Sequence, residues 1–98
     1  MINDVNVSHK LKVSVNPNPV KNASIIKVES TCETNCTIRI FDFEGRIVTQ
    51  LYDGGLSYGS NYFGWKVCSD AGKRLPCGTY LCVASSMGIS NFCKIIIE

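Results

Sequence analysis

The chain has 98 residues, enough for one domain and too few for two. It is 45% hydrophobic and 18% charged, which excludes a disordered tail, and no apolar run approaches bilayer length, which excludes a membrane-crossing helix. Ten basic residues against eight acidic ones give a formal net charge of +2 without a Lys/Arg cluster, so nucleic acid is not an expected partner.

Residues 1–9 are polar and irregular and read as a linker or disordered end, or a fraying strand, with the domain proper over residues 10–98. Leu11, Val13 and Val15 alternate with Lys12 and Ser14, the pattern of a half-buried strand. Asn16-Pro17-Asn18-Pro19 ends that strand, because a proline cannot donate to a ladder. Ser24–Glu29 and Thr37–Phe43 read as the second and third strands. Asp42-Phe43-Glu44-Gly45 has the signature of a tight turn, with Asp bonding back to the backbone and Gly tolerating positive φ. Arg46–Tyr52 returns as a fourth strand, and Asp53-Gly54-Gly55 with Tyr58-Gly59-Ser60 reads as a flexible connection. Asn61–Val67 is the fifth strand, with Phe63, Trp65 and Val67 on one face. Asp70-Ala71-Gly72 and Leu75-Pro76-Cys77-Gly78 form a corner, and Thr79–Ala84 and Ile89–Ile97 close the chain as a hairpin around Ser85–Gly88. No segment has helical periodicity. About seven short strands at roughly ten-residue spacing argue for an all-β, immunoglobulin-like antiparallel β-sandwich.

Six cysteines in so short a chain suggest disulfides and an oxidising compartment. The N-terminal Met-Ile-Asn-Asp-Val has neither a basic patch nor an apolar stretch, so it does not read as a signal peptide. The two observations agree if the chain is a module whose export signal lies upstream; an intracellular hyperthermophile protein is the other resolution. Each pair Cys32–Cys36, Cys68–Cys77 and Cys82–Cys93 flanks a turn, which selects a local pattern among the fifteen possible pairings. Cys82 and Cys93 are equidistant from the last turn and are expected to face each other across the hairpin. Reduced, buried cysteines are the alternative. Structural zinc would want two short paired spacings, and only one C-x3-C is present, so neither a metal nor a cofactor is expected. A catalytic thiol would want a base, and His9, the single histidine, falls in the irregular N-terminal segment.

The remaining constellations have structural readings. Trp65, Phe63 and Tyr80 could form an aromatic platform for sugar, but alternating aromatics on strands are usually sandwich core. Asp42 and Asp70 read as turn caps, and the acidic residues are too dispersed for calcium. Paired catalytic carboxylates lack an accompanying base, so no enzyme and no small-molecule substrate are expected. Asn22-Ala23-Ser24 and Asn35-Cys36-Thr37 match the N-glycosylation pattern, which matters only in a eukaryotic secretory route.

Four features in order carry a resemblance. Pro17-Asn18-Pro19 follows the first strand; Ile40-Phe41-Asp42-Phe43-Glu44-Gly45-Arg46-Ile47-Val48 makes strand, turn and strand; Trp65 precedes Asp70-Ala71-Gly72, Leu75 and Gly78-Thr79-Tyr80; and Lys94-Ile95-Ile96-Ile97-Glu98 comes last. This order resembles the C-terminal sorting domain of proteins exported by the type IX secretion system of Bacteroidetes-type bacteria, and the related immunoglobulin-like module of the flagellar hook-capping protein. The similarity spans about residues 11–98. It implies a non-catalytic module fused to an upstream cargo domain, recognised by the outer-membrane secretion machinery and removed by a surface sortase or exchanged for a lipopolysaccharide anchor. The carrier would be secreted or held at the cell surface, by way of the periplasm and outer membrane. The residues expected to carry recognition are Pro17, Asn18, Pro19, Gly78, Tyr80, Lys94, Ile95, Ile96, Ile97 and Glu98, with an edge strand there open to pairing by a receptor strand. The six cysteines depart from the family pattern and keep open a disulfide-stapled structural subunit that self-associates in an extracellular assembly; the aromatics alone argue for a carbohydrate-binding accessory module.

Overall fold

The computed structural model describes residues 9–98; the expected linker, apart from His9, lies outside the described residues. Among the described residues seven strands form: β1 Leu11–Asn16, β2 Ala23–Ser30, β3 Thr34–Phe41, β4 Ile47–Leu56, β5 Gly59–Lys66, β6 Gly78–Ser86 and β7 Ile89–Ile97. All strand pairings are antiparallel, in a three-stranded sheet β1-β2-β5 and a four-stranded sheet β4-β3-β6-β7. The expected β-sandwich is the observed fold. Its wiring is immunoglobulin-like, with β1, β2 and β5 as strands A, B and E and β3, β6 and β7 as C, F and G. β4 joins the second sheet beside β3.

Period-two alternation builds the core, because successive side chains on a strand face opposite sides of its sheet. Leu11, Val13, Val15, Ile26 and Val28 project from one sheet onto Ile38, Ile40, Cys82, Ala84, Ile95 and Ile97 of the other. Each fully buried aliphatic side chain contributes about 1.5–3 kcal/mol relative to exposure. Trp65 and Tyr80 are 5% exposed and belong to this core, so they form no aromatic platform. Phe63 packs at the core margin, with its ring centroid 4.5 Å from that of Tyr52, and closes the side of the sandwich between β5 and β4.

The strand bounds shift by a residue or two at most ends, with Gly59 and Ser60, expected in the connection, opening β5 and Ser85 and Ser86 ending β6; two differences are larger. The third strand begins at Thr34 and ends at Phe41, because Asp42 is withdrawn into the turn. Its Oδ1 accepts from the backbone N–H of Glu44 and of Arg46, both at 2.9 Å, and its Oδ2 meets Arg46 Nε at 2.9 Å. The second difference is Asp53-Gly54-Gly55, which is no connection but the second half of β4. Gly54 pairs with Cys36 and Gly55 with Asn35. A Cβ on Gly54 would lie 2.9 Å from the Tyr52 hydroxyl, which donates to Gly55 O at 2.6 Å. Glycine is there so that the tyrosine can fold over the strand. The last hairpin turns on Met87 and Gly88, at φ +50° and +81°, the two left-handed residues of a type I′ turn.

Candidate recognition site at one edge of the sandwich

β7 is the outer strand of its sheet, and an outer strand leaves alternate N–H and C=O groups unpaired. The Pro17–Pro19 corner meets those groups. Asn18 Nδ2 donates to Lys94 O at 2.8 Å, and Ile96 N–H donates to Asn18 Oδ1 at 3.0 Å. One amide side chain thus imitates a neighbouring strand. Val20 continues the pairing: its N–H donates to Ile96 O at 2.8 Å, and Glu98 N–H donates to Val20 O at 2.8 Å. Arg74 closes the lower end, its guanidinium donating to Lys21 O at 2.7 Å and to Glu98 O at 3.4 Å. Segments more than seventy residues apart in sequence therefore form one surface.

The expected recognition residues divide on that surface. Pro17, Asn18, Pro19, Gly78, Lys94 and Glu98 are exposed and Ile96 is partly so, whereas Tyr80, Ile95 and Ile97 are buried. The buried three shape the surface without being reachable from it. Tyr80 Oη donates to Pro76 O at 2.8 Å, a tyrosine corner at the start of strand F, and burial pushes the phenol above its ordinary pKa. It fixes the Leu75–Gly78 corner against β6. The edge of Lys94–Glu98 is not open to a receptor strand, because Asn18 and Val20 already occupy it.

The cysteines stand as thiols. Cys82 and Cys93 are direct cross-strand partners on the core-facing side of β6 and β7. Burial pushes the Cys82 thiol up to about 12, with Cys93 and Cys36 adding to the shift, and burial likewise raises Cys36 and Cys93. Cys36 faces the core from β3, while Cys32 is half-buried, its sulfur 3.2 Å from His9 Nδ1. The backbone of Cys68 bridges that of Arg74 across the loop, and Cys68 and Cys77 stand unlinked. The His9 contact has no signal in the sequence. Its other ring nitrogen lies 3.2 Å from Ser86 Oγ, which is 2.7 Å from Thr34 Oγ1. This polar chain ties the entry of the domain to the end of β6.

The fold and this edge define a small β-sandwich module built to present its last strand against a corner from its first loop. A family model described as the secretion system C-terminal sorting domain matches residues 14–98, and the chain belongs to that family. Domains of this family act as sorting signals that engage the secretion machinery and mark proteins exported through the outer membrane to the cell surface or the medium; as a class they are non-catalytic. Among solved structures, dimeric latent PorU from Porphyromonas gingivalis is similar at 24% identity and a TM-score of 0.74, over 98% of this chain and 10% of that one. PorZ, an essential surface component of the type IX secretion system of the same bacterium, is similar at 20% identity and a TM-score of 0.61, over 88% of this chain and 11% of that one. The chain thus spans about a tenth of the length of each, and at these identities the likeness concerns the fold. A search of curated protein sequences finds no match.

Proposed function

We propose that this domain is the sorting module of a larger exported protein, and that the joined surface of the Pro17–Pro19 corner and the Lys94–Glu98 strand is what the outer-membrane machinery recognises. The observation that carries this reading is the double hydrogen bond of Asn18 across β7, which welds the two family-like segments into one exposed patch. Lys94 and Glu98 project polar groups from it, with Gly78 at its margin. The module has no catalytic role of its own. Its carrier has a cargo domain upstream, and a surface sortase removes the module after passage. Exposed Trp65 and Tyr80 rings would have favoured glycan binding; their burial favours recognition by protein.

The test is a reporter fused ahead of the full chain in a type IX-competent host. The fusion is expected at the cell surface, and Lys94→Glu is expected to hold it in the periplasm. That substitution reverses an exposed charge on the outer face of β7 and should alter stability by less than about 0.5 kcal/mol. An unaltered fusion that never reaches the surface, in a host exporting its own tagged proteins, refutes the reading in favour of a self-associating structural subunit.

A further inference from the structure

The sandwich has four outer strands, β7, β1, β4 and β5, and the hydrogen bonds on each show how far its edge is met. In an antiparallel ladder, bonded and non-bonded residue pairs alternate, so one bonded pair fixes which residues of a strand face outward. Even-numbered residues of β7 face out, and Asn18 and Val20 hold those from Lys94 to Glu98. Thr31 N–H donates to Lys10 O, so odd-numbered residues of β1 face out; there Asn91 Nδ2 donates to Leu11 O. β4 is covered by the loop after β5: Asp70 N–H donates to Val48 O, and Gln50 N–H donates to Asp70 Oδ2.

β5 is different. Val67 N–H donates to Asn22 O, one step beyond the Lys66–Ala23 pair, so the odd-numbered residues of β5 bond β2 and the even-numbered ones face out. Lys66 O is taken by Cys68 N–H. Among the described residues no hydrogen bond reaches the outward backbone groups of Ser60, Tyr62 and Gly64. Their side chains lie on the exposed outer face, where Tyr62 is 65% exposed and no atom lies within 4 Å of a Cβ built on Gly64. A shallow hollow of about 390 Å³ opens beside Gly64, lined by Ile25, Trp65 and Pro17, and so runs into the recognition corner.

We propose that β5 is a docking edge, and that its occupant is an extended strand of the secretion machinery, hydrogen-bonded to Ser60, Tyr62 and Gly64 and seating an apolar side chain in the hollow at Gly64. This rests on the sorting reading above and adds the mode of capture. A row of alternating donors and acceptors is complementary to an extended backbone, and the hollow supplies the side-chain preference such pairing otherwise lacks. Each of the other three edges is met in part by a segment of the chain, and the edge that no hydrogen bond among the described residues reaches adjoins the corner.

The test separates backbone from side chain at Tyr62 in the reporter fusion. Tyr62→Pro removes an outward N–H and places a ring where the incoming strand would lie, while leaving the ladder to β2 intact. Tyr62→Ser removes only the phenol. Surface export is expected to fall at least about tenfold in Tyr62→Pro and to stay within about twofold of the parent in Tyr62→Ser. Export of Tyr62→Pro at the parent level overturns the docking edge alone, and equal loss in both variants overturns backbone pairing. Failure of the unaltered fusion overturns the sorting reading as well. Amide exchange on the unaltered fusion, held on the detergent-solubilised outer-membrane complex, needs no folded variant: residues 60–64 are expected to slow at least about tenfold. Protection confined to Lys94–Glu98 overturns the proposal, as does a concentration-dependent dimer of the free fusion that Tyr62→Pro abolishes, which would make the occupant a second copy.

Discussion

Asn18→Ala isolates the joint between the two ends of the chain. The wild-type amide donates to Lys94 O and accepts from Ile96 N–H, at 2.8 and 3.0 Å. A net hydrogen bond stabilises by about 0.5–1.5 kcal/mol, and water can reach both backbone groups once the side chain is gone, so the loss should be about 1–2 kcal/mol. For a domain of this size that lowers the melting temperature by roughly 4–15 °C. The bonds also make a local prediction. Ile96 N–H has Asn18 Oδ1 as its acceptor, whereas Glu98 N–H bonds Val20 O, which the substitution leaves in place. Amide exchange should therefore accelerate at Ile96 much more than at Glu98. Urea unfolding gives the first quantity and exchange followed by NMR the second. A variant within about 0.3 kcal/mol of the parent, or one with unchanged exchange at Ile96, would refute the claim that Asn18 acts as a surrogate strand.

Two further predictions concern titrating groups. The backbone N–H of Arg46, then its guanidinium and the Glu44 N–H, hold the Asp42 carboxyl below its ordinary pKa. A depressed carboxyl stabilises fully above the ordinary aspartate range, and that contribution is lost as pH falls through its folded value. Asp42→Asn should therefore melt lower than the parent at pH 7, with the gap closing towards pH 2; a gap that stays constant on acidification contradicts this. For the thiols, residues directly opposite in an antiparallel ladder have Cα atoms about 4.5–5.5 Å apart, within disulfide reach, so Cys82 and Cys93 should join when the reduced chain refolds in a glutathione redox buffer. Mass mapping of a non-reduced digest reads the outcome, and a dominant Cys36–Cys82 link, or none involving Cys93, would refute it.

Strand identity was legible because period-two alternation is a local property of the chain. Leu11, Val13 and Val15, or Phe63, Trp65 and Val67, announce a buried face wherever the other sheet happens to lie. The Asp42–Gly45 turn and the equal spacing of Cys82 and Cys93 about the last turn were readable for the same reason, and both are found where expected. The family-like segments were legible too, as ordered motifs. Other features depended on what the folded chain brings near. Gly54-Gly55 reads as a loop until Tyr52 closes over it and Cys36 and Asn35 pair with it. His9 reads as linker until Cys32 and Ser86 meet its two nitrogens. Alternation marks Tyr80 as core and Lys94 as solvent-facing, but that Ile95 and Ile97 are sealed from a partner shows only once the second sheet covers them. Which outer strands stay open is the least local property of all, because an edge is closed by whatever reaches it in space. Asn18 covers part of β7 from 76 residues away and Asp70 part of β4 from 20, while among the described residues no hydrogen bond reaches the outward groups of Ser60, Tyr62 and Gly64 on β5. Sequence alone determined the strands, their faces and the family; tertiary structure decided which edges a partner can pair, since hydrogen-bond saturation is settled only when the whole chain is in place.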